Sequence, residues 1–233
     1  MKKIITILIV SILFFSCSSD DSSDNSNNTE PQTIKLKKIT YSDGSTLNFS
    51  YSNNILSQTV GVSQNETFKR EFVYENDKLV RIKNYVNNLY LNNEDIVYQY
   101  IGNNISSSLG YEGNILFSHQ FSYNNSNQMI EDSQSDNSVY CCSNYYTYNS
   151  NGNILIKSNS DNNFTTNYTY DDKKNPLFYS FPEAYSKIKE ISKNNIISED
   201  FNYSYTYNSS DFPITKNQLS SGLSVLVETY EYE

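Results

Sequence analysis

Tyr146-Thr147-Tyr148-Asn149-Ser150-Asn151-Gly152-Asn153-Ile154-Leu155-Ile156-Lys157 is the stretch that decides the fold. Tyr146 and Tyr148 stand two apart, so on a strand they share one face, and Thr147 faces the other way. Asn and Gly follow, and both tolerate the positive φ that a tight hairpin demands. Ile154 to Lys157 then reads as the returning strand. The segment is a hairpin with one aromatic face and one polar face.

The same unit recurs along the chain. An aromatic-x-Tyr triplet starts at Phe49, Phe72, Tyr98, Phe121, Tyr146, Tyr168, Tyr205 and Tyr230. Successive starts are 23, 26, 23, 25, 22, 37 and 25 residues apart. A period near 24 holds two strands of about eight residues and two turns. The residue between the aromatics is mostly Ser, Thr, Gln or Glu, which suits a solvated wall. The expected fold is all-β: an antiparallel meander of repeated hairpins, about 14 strands, curled into a barrel or half-barrel. An open sheet of that size would leave long unpaired edges. A β-solenoid is the second choice. A membrane-spanning barrel would need an apolar band where these polar intermediate residues stand.

One interval is longer than the rest, between Tyr168 and Tyr205. Ala184, Ile188 and Ile191 are spaced by four and three, which predicts one short helix near 183–192. Pro176 and Pro213 follow their aromatic triplets at the same offset, and each is expected to begin a strand or lie on an edge.

The Tyr-x-Tyr-Asn/Asp-x-x-Gly-Asn-Ile pattern at Tyr146 to Ile154 resembles the YD repeats of Rhs-type proteins. Asn175-Pro176-Leu177, Ser192-Lys193-Asn194-Asn195 and the final Thr229-Tyr230-Glu231-Tyr232-Glu233 resemble a family of uncharacterised Bacteroidota lipoproteins. The resemblance covers roughly residues 35 to 233. It implies a porin-like β fold and carries no activity or functional residue with it.

The N-terminus reads as an address. Met1-Lys2-Lys3 is positive, Ile4 to Phe15 is apolar apart from Thr6 and Ser11, and Ser16-Cys17 follows. This order describes an export signal. Twelve helical residues span roughly 18 Å, short of the ~30 Å hydrocarbon core, so a permanent transmembrane helix is the weaker reading. Phe14-Phe15-Ser16-Cys17 resembles a lipobox, with Phe14 where Leu is usual, and implies cleavage before Cys17 and acylation of its sulfur. Two or more chains anchor stably. The expected division is 1–16 signal peptide, 17–33 lipidated cysteine and polar tether, and 34–233 a single β domain. The tether is rich in Ser, Asp and Asn, and as a coil it reaches roughly 20–24 Å. The expected location is the outer membrane, lipid-anchored, with the cell surface favoured over the periplasmic face because acidic residues follow Cys17.

The chain carries −9, or −11 once Lys2 and Lys3 are removed, which argues against nucleic acid as a partner. There are 22 Tyr, 12 Phe and no Trp. Apart from Cys17, the cysteines are the neighbours Cys141 and Cys142, either unpaired thiols or a candidate vicinal disulfide. No metal-ligand spacing, cofactor loop or catalytic constellation stands out. His119, the single histidine, has no partner motif. Glu94-Asp95, Asp171-Asp172 and Glu199-Asp200 read as solvated turns. The expected function is a non-enzymatic binding module for a glycan, peptide or protein, marked by a groove of exposed Tyr around 171–204. The alternative is a structural envelope scaffold.

Overall fold

The structure, a computed structural model, describes residues 34–161 and 164–233. The export signal, Cys17 and the tether lie outside the described residues. The chain is antiparallel β throughout, interrupted once by helix. In order come β1 (Leu36–Tyr41), β2 (Thr46–Ser52), β3 (Ile55–Ser63), β4 (Glu66–Glu75), β5 (Lys78–Val86) and β6 (Leu89–Tyr90). Then follow β7 (Ile96–Ile101), β8 (Asn104–Glu112), β9 (Ile115–Tyr123), β10 (Met129–Asp136), β11 (Val139–Tyr148), β12 (Ile154–Asn159) and β13 (Thr165–Asn167). The last part holds β14 (Thr169–Lys174), α1 (Pro176–Ser180), α2 (Glu183–Ile188), β15 (Asn194–Ser198), β16 (Asn202–Tyr207), β17 (Pro213–Ser220) and β18 (Leu223–Tyr232). Strand segments therefore outnumber the expected fourteen. Two of them are short pieces: β6 lies in the 26-residue interval between Phe72 and Tyr98, and β13 is separated from β14 by Tyr168 alone.

Most consecutive strands bond to each other, β5 bonds both β6 and β7, and β1 bonds to both β2 and β18, so the meander closes on itself. The ends are zipped by paired backbone bonds between Lys35 and Glu233, 3.0 Å each way. At one seam β12 bonds β13 while β14 bonds β15, and Tyr168 between them donates to the Leu155 carbonyl at 2.9 Å. The result is a nearly closed barrel.

Turn chemistry explains the Asn content. Asn53-Asn54, Asn76-Asp77, Asn87-Asn88 and Asn137-Ser138 each hold two successive positive φ values, the signature of two-residue I′ hairpins. The longer turns use one Asn as a brace. The Asn149 side-chain oxygen accepts from the amides of Asn151 and Asn153, and Asn124 and Asn208 do the same in their loops.

The second aromatic of every triplet is Tyr, never Phe, and the structure supplies the reason. In all eight triplets the ladder register shifts at this residue, a β-bulge, as at Tyr51, Tyr74 and Tyr100. Tyr74 donates its hydroxyl to the carbonyl of Leu56, the ladder partner of Tyr51, at 2.8 Å. Tyr100 donates to Leu79, the partner of Tyr74, and Tyr123 to Ile105, the partner of Tyr100. Tyr148 donates to Met129, Tyr232 to Pro213, and Tyr51 to Leu36, itself the partner of Tyr232. Each hairpin thus caps the preceding one, and the relay runs across the closing seam. It breaks at the insertion, where Tyr170 takes the Ser192 hydroxyl and Tyr207 donates to Asp171. Most of these phenols bond backbone carbonyls, because bulges free those carbonyls from the ladder. Tyr100→Phe is expected to cost about 1–3 kcal/mol, the penalty of an orphaned carbonyl at fully buried Leu79, measurable by urea unfolding.

The same burial sets an alkaline limit. Tyr168 and Tyr170 are pushed up to about 12, first by burial, from the ordinary value of 10.0. Burial raises Tyr74, Tyr123 and Tyr148 as well. The folded state holds these protons more tightly than the unfolded chain, so the stability they supply is whole below pH 10 and is lost as pH rises toward 12. The phenolate absorbance of these buried tyrosines is expected to appear together with loss of β-sheet circular dichroism, and not before it.

The long interval forms two helices, not one, and they fill the barrel. Asn175 accepts from the Leu177 amide at 3.1 Å and Pro176 occupies the first turn of α1, an N-cap followed by a favoured proline. Pro176 therefore begins a helix, whereas Pro213 begins a strand as expected. The second helix stops at Ile188, short of 192, because Glu190 adopts φ +58. Tyr185, 4% exposed, packs edge-on against Phe72 of β4 and Tyr98 of β7, with ring centroids 5.9 and 6.1 Å away. Phe181 touches Phe49 of β2 and Phe72. The inward aromatics predicted from the repeat thus meet a helical plug rather than one another.

The barrel lumen as candidate functional site

Beyond the plug the inward face turns polar. Strand register decides what meets there. Ser108, His119 and Gln134 are consecutive ladder partners across β8, β9 and β10. Asp132 pairs with Phe121 on one side and Asn144 on the other, and Tyr146 pairs with Lys157. Arg70 shares the inward face of β4 with Phe72, and Lys189 and Glu190 come from the end of the plug. A cavity of about 250 Å³ is lined by Ser108, His119, Asp132, Asn144, Lys157, Lys189 and Glu190, among others. A second space of about 430 Å³ reaches Arg70 and shares Ile96 and Phe117 with the first.

Both carboxylates in this lumen are engaged. His119 Nδ1 lies 2.8 Å from Asp132 Oδ1, and the Gln134 amide donates to Asp132 Oδ2 at 3.0 Å. The imidazole stacks on Phe121 with centroids 5.8 Å apart. Lys157 Nζ donates to both oxygens of Glu190 at 2.8 and 2.9 Å, and the buried Tyr146 hydroxyl donates to the same carboxylate at 2.7 Å.

Two cations are left over. Among the described residues, the side chains of Arg70 and Lys189 make no hydrogen bond or ion pair; Lys189 has only the Tyr185 ring 5.8 Å away. Both side chains reach solvent, yet the barrel wall surrounds them. Burial, and then the Arg70 charge, hold the Lys189 ammonium below the usual lysine range. Lys189 lines the first space and Arg70 the second, so two cations without hydrogen-bond partners face adjoining spaces, an arrangement that attracts an anion.

The sequence-stated residues distribute as follows. His119 was read as an isolated strand position, but it belongs to this lumen; its partner Asp132 is 13 residues away. Asp171 was read as a solvated turn, but it is a brace: it accepts from Tyr207 and from both the backbone and side-chain amides of Asn195. Asp95 likewise is held by Arg81 at 3.3 Å and Tyr90 at 2.8 Å. These two bonds edge an outer-wall groove of about 560 Å³ that also contains Leu109 and Tyr111. The groove is larger than the lumen cavity, but its guanidinium and carboxylate are already paired with each other through Asp95 Oδ2, while Asp95 Oδ1 is buried without a hydrogen-bond partner. Of the tyrosines expected to line a groove around 171–204, Tyr179 is exposed, whereas Tyr185 is buried in the plug. Among the described residues there is no group of three or more metal-ligating side chains.

No family model and no curated protein matches the chain. The barrel does match the crystal structure of a porin-like protein from Bacteroides uniformis ATCC 8492, with a TM-score of 0.55 over 86% of this chain and 96% of that one. The fold is porin-like. Sequence identity is 12%, so the likeness carries the β architecture alone. It agrees with the porin-like fold that the lipoprotein-family resemblance implied, and it does not bear on YD-repeat membership or lipidation.

Proposed function

We propose that the protein is an exported, lipid-anchored envelope module that binds the anionic group of a glycan or peptide in its barrel lumen. The unpaired Arg70–Lys189 pair carries this reading. An anion would replace the water around both cations without breaking Asp132–His119 or Lys157–Glu190. The porin-like fold and the lipobox at Cys17 support an envelope location.

Passage across the wall is disfavoured as a function. Tyr185 and its neighbours occupy the bore, and mid-strand pairs such as Lys38–Glu231 and Lys69–Glu71 sit on the outer wall. A lysine at the bilayer midplane costs about 2–4 kcal/mol. No described helix is long and apolar enough to cross a membrane.

The test is calorimetric titration with trigalacturonate against neutral maltotriose. The acidic sugar is expected to bind, more weakly as salt rises, and Lys189→Met with Arg70→Gln is expected to abolish the heat. Equal heats for both sugars, or for wild type and double variant, would favour the scaffold reading, which the densely filled plug half of the barrel also suits. Lipidation is tested by Cys17→Ala, which is expected to leave the membrane fraction.

A further inference from the structure

Adjacent residues of a regular strand point to opposite faces, so neighbouring cysteines ordinarily keep their thiols apart. On β11 they do not. Gln134 pairs with Cys142 and Ser135 with Tyr140, leaving Cys141 as the extra residue of a bulge. The bulge brings Cys141 Sγ and Cys142 Sγ to 3.1 Å, on one side of the strand. Cys141 is exposed and Cys142 half-buried, both as free thiols. Cys142 Sγ also lies 3.8 Å from Gln134 Oε1, and the amide of Gln134 holds Asp132. The pair therefore sits on the lumen wall, two side chains from His119.

We infer that Cys141 and Cys142 are a redox-reactive dithiol that a small-molecule disulfide oxidant closes into a vicinal disulfide. The Cys142 thiolate attacks one sulfur of the oxidant and releases the other half as a thiolate. The Cys141 thiol, pushed up to about 11 by its hydrogen bond to Cys142, then gives its proton to that released thiolate as its sulfur displaces the second half. The second half takes up the proton that Cys142 released on ionising, so in sum two cysteine S–H bonds and the oxidant's S–S bond break, the Cys141–Cys142 bond forms, and the oxidant leaves as two thiols. Ring closure between neighbours is strained, and strain raises the reduction potential, so dithiothreitol reverses the step readily. The bulge makes this intramolecular step faster than capture of a second oxidant molecule, since the second sulfur is already in contact.

The experiment is incubation of the full chain with oxidised glutathione, followed by mass mapping of the peptide that carries both residues, which separates it from Cys17. Wild type is expected to lose two hydrogens from that peptide, with no glutathione attached and no chain-to-chain link. Cys141→Ser and Cys142→Ser are each expected to retain one glutathione adduct. Glutathione attached to the wild-type peptide, a chain-to-chain bond through it, or two unreacted thiols would each overturn the inference, whether or not the variants fold.

Discussion

Tyr185→Ala is expected to destabilise the barrel by about 3–5 kcal/mol, the range for emptying an aromatic site in a packed core. The ring is the hub of the plug. It meets Phe72, Tyr98 and Phe181 with centroids 5.2–6.1 Å away, and those three come from β4, β7 and the α1–α2 junction. Removing it opens a cavity that the wall cannot easily collapse to fill, because β4 and β7, which carry Phe72 and Tyr98, are each bonded on both sides. For a domain of this size the loss corresponds to roughly 6–20 °C in melting temperature. Tyr185→Phe is expected to leave the packing intact, since the aromatic contacts use the ring. Calorimetric scans of the two variants check the result; equal melting temperatures for alanine and wild type would mean the plug is not part of the core.

Glu190→Ala is expected to cost about 2–4 kcal/mol, because it strands two groups at once. Buried Tyr146 loses its acceptor, and Lys157, 29% exposed, loses its counter-ion. Glu190→Gln should recover part of this by still accepting from Tyr146. Pairing Glu190→Ala with Lys157→Met should also recover part, since no uncompensated charge then remains. A double-mutant cycle from urea unfolding gives the coupling directly. A coupling near zero would show that the ion pair is solvated and contributes little.

These two predictions involve residues whose importance differs in how readable it was. The aromatic triplets announced themselves: Phe49, Phe72, Tyr98 and Tyr146 are all buried on the inward face. The Asn-rich turns and the strand start at Pro213 were equally plain. Asn175-Pro176 was readable too, as an N-cap and first-turn proline, but its match to the offset of Phe212-Pro213 suggested a strand. Tyr185 carried no periodic signal of its own, because it lies in the one segment outside the repeat. Glu190, Lys189 and Arg70 look in sequence like ordinary surface charges.

The sequence alone determined the period, the face and the turn types, because each is a local matter of side-chain alternation and backbone preference. It determined as well that the second aromatic must be Tyr, though not why. Only the tertiary structure decided where the odd interval goes. Closing the ring through β1 and β18 creates a bore wider than the Tyr and Phe side chains can fill, and the 175–193 segment is the piece of chain free to enter it. The lumen site follows from the same closure. His119 meets Asp132, and Lys189 approaches Arg70, through ladder register and plug placement, and neither distance is encoded in any spacing along the chain.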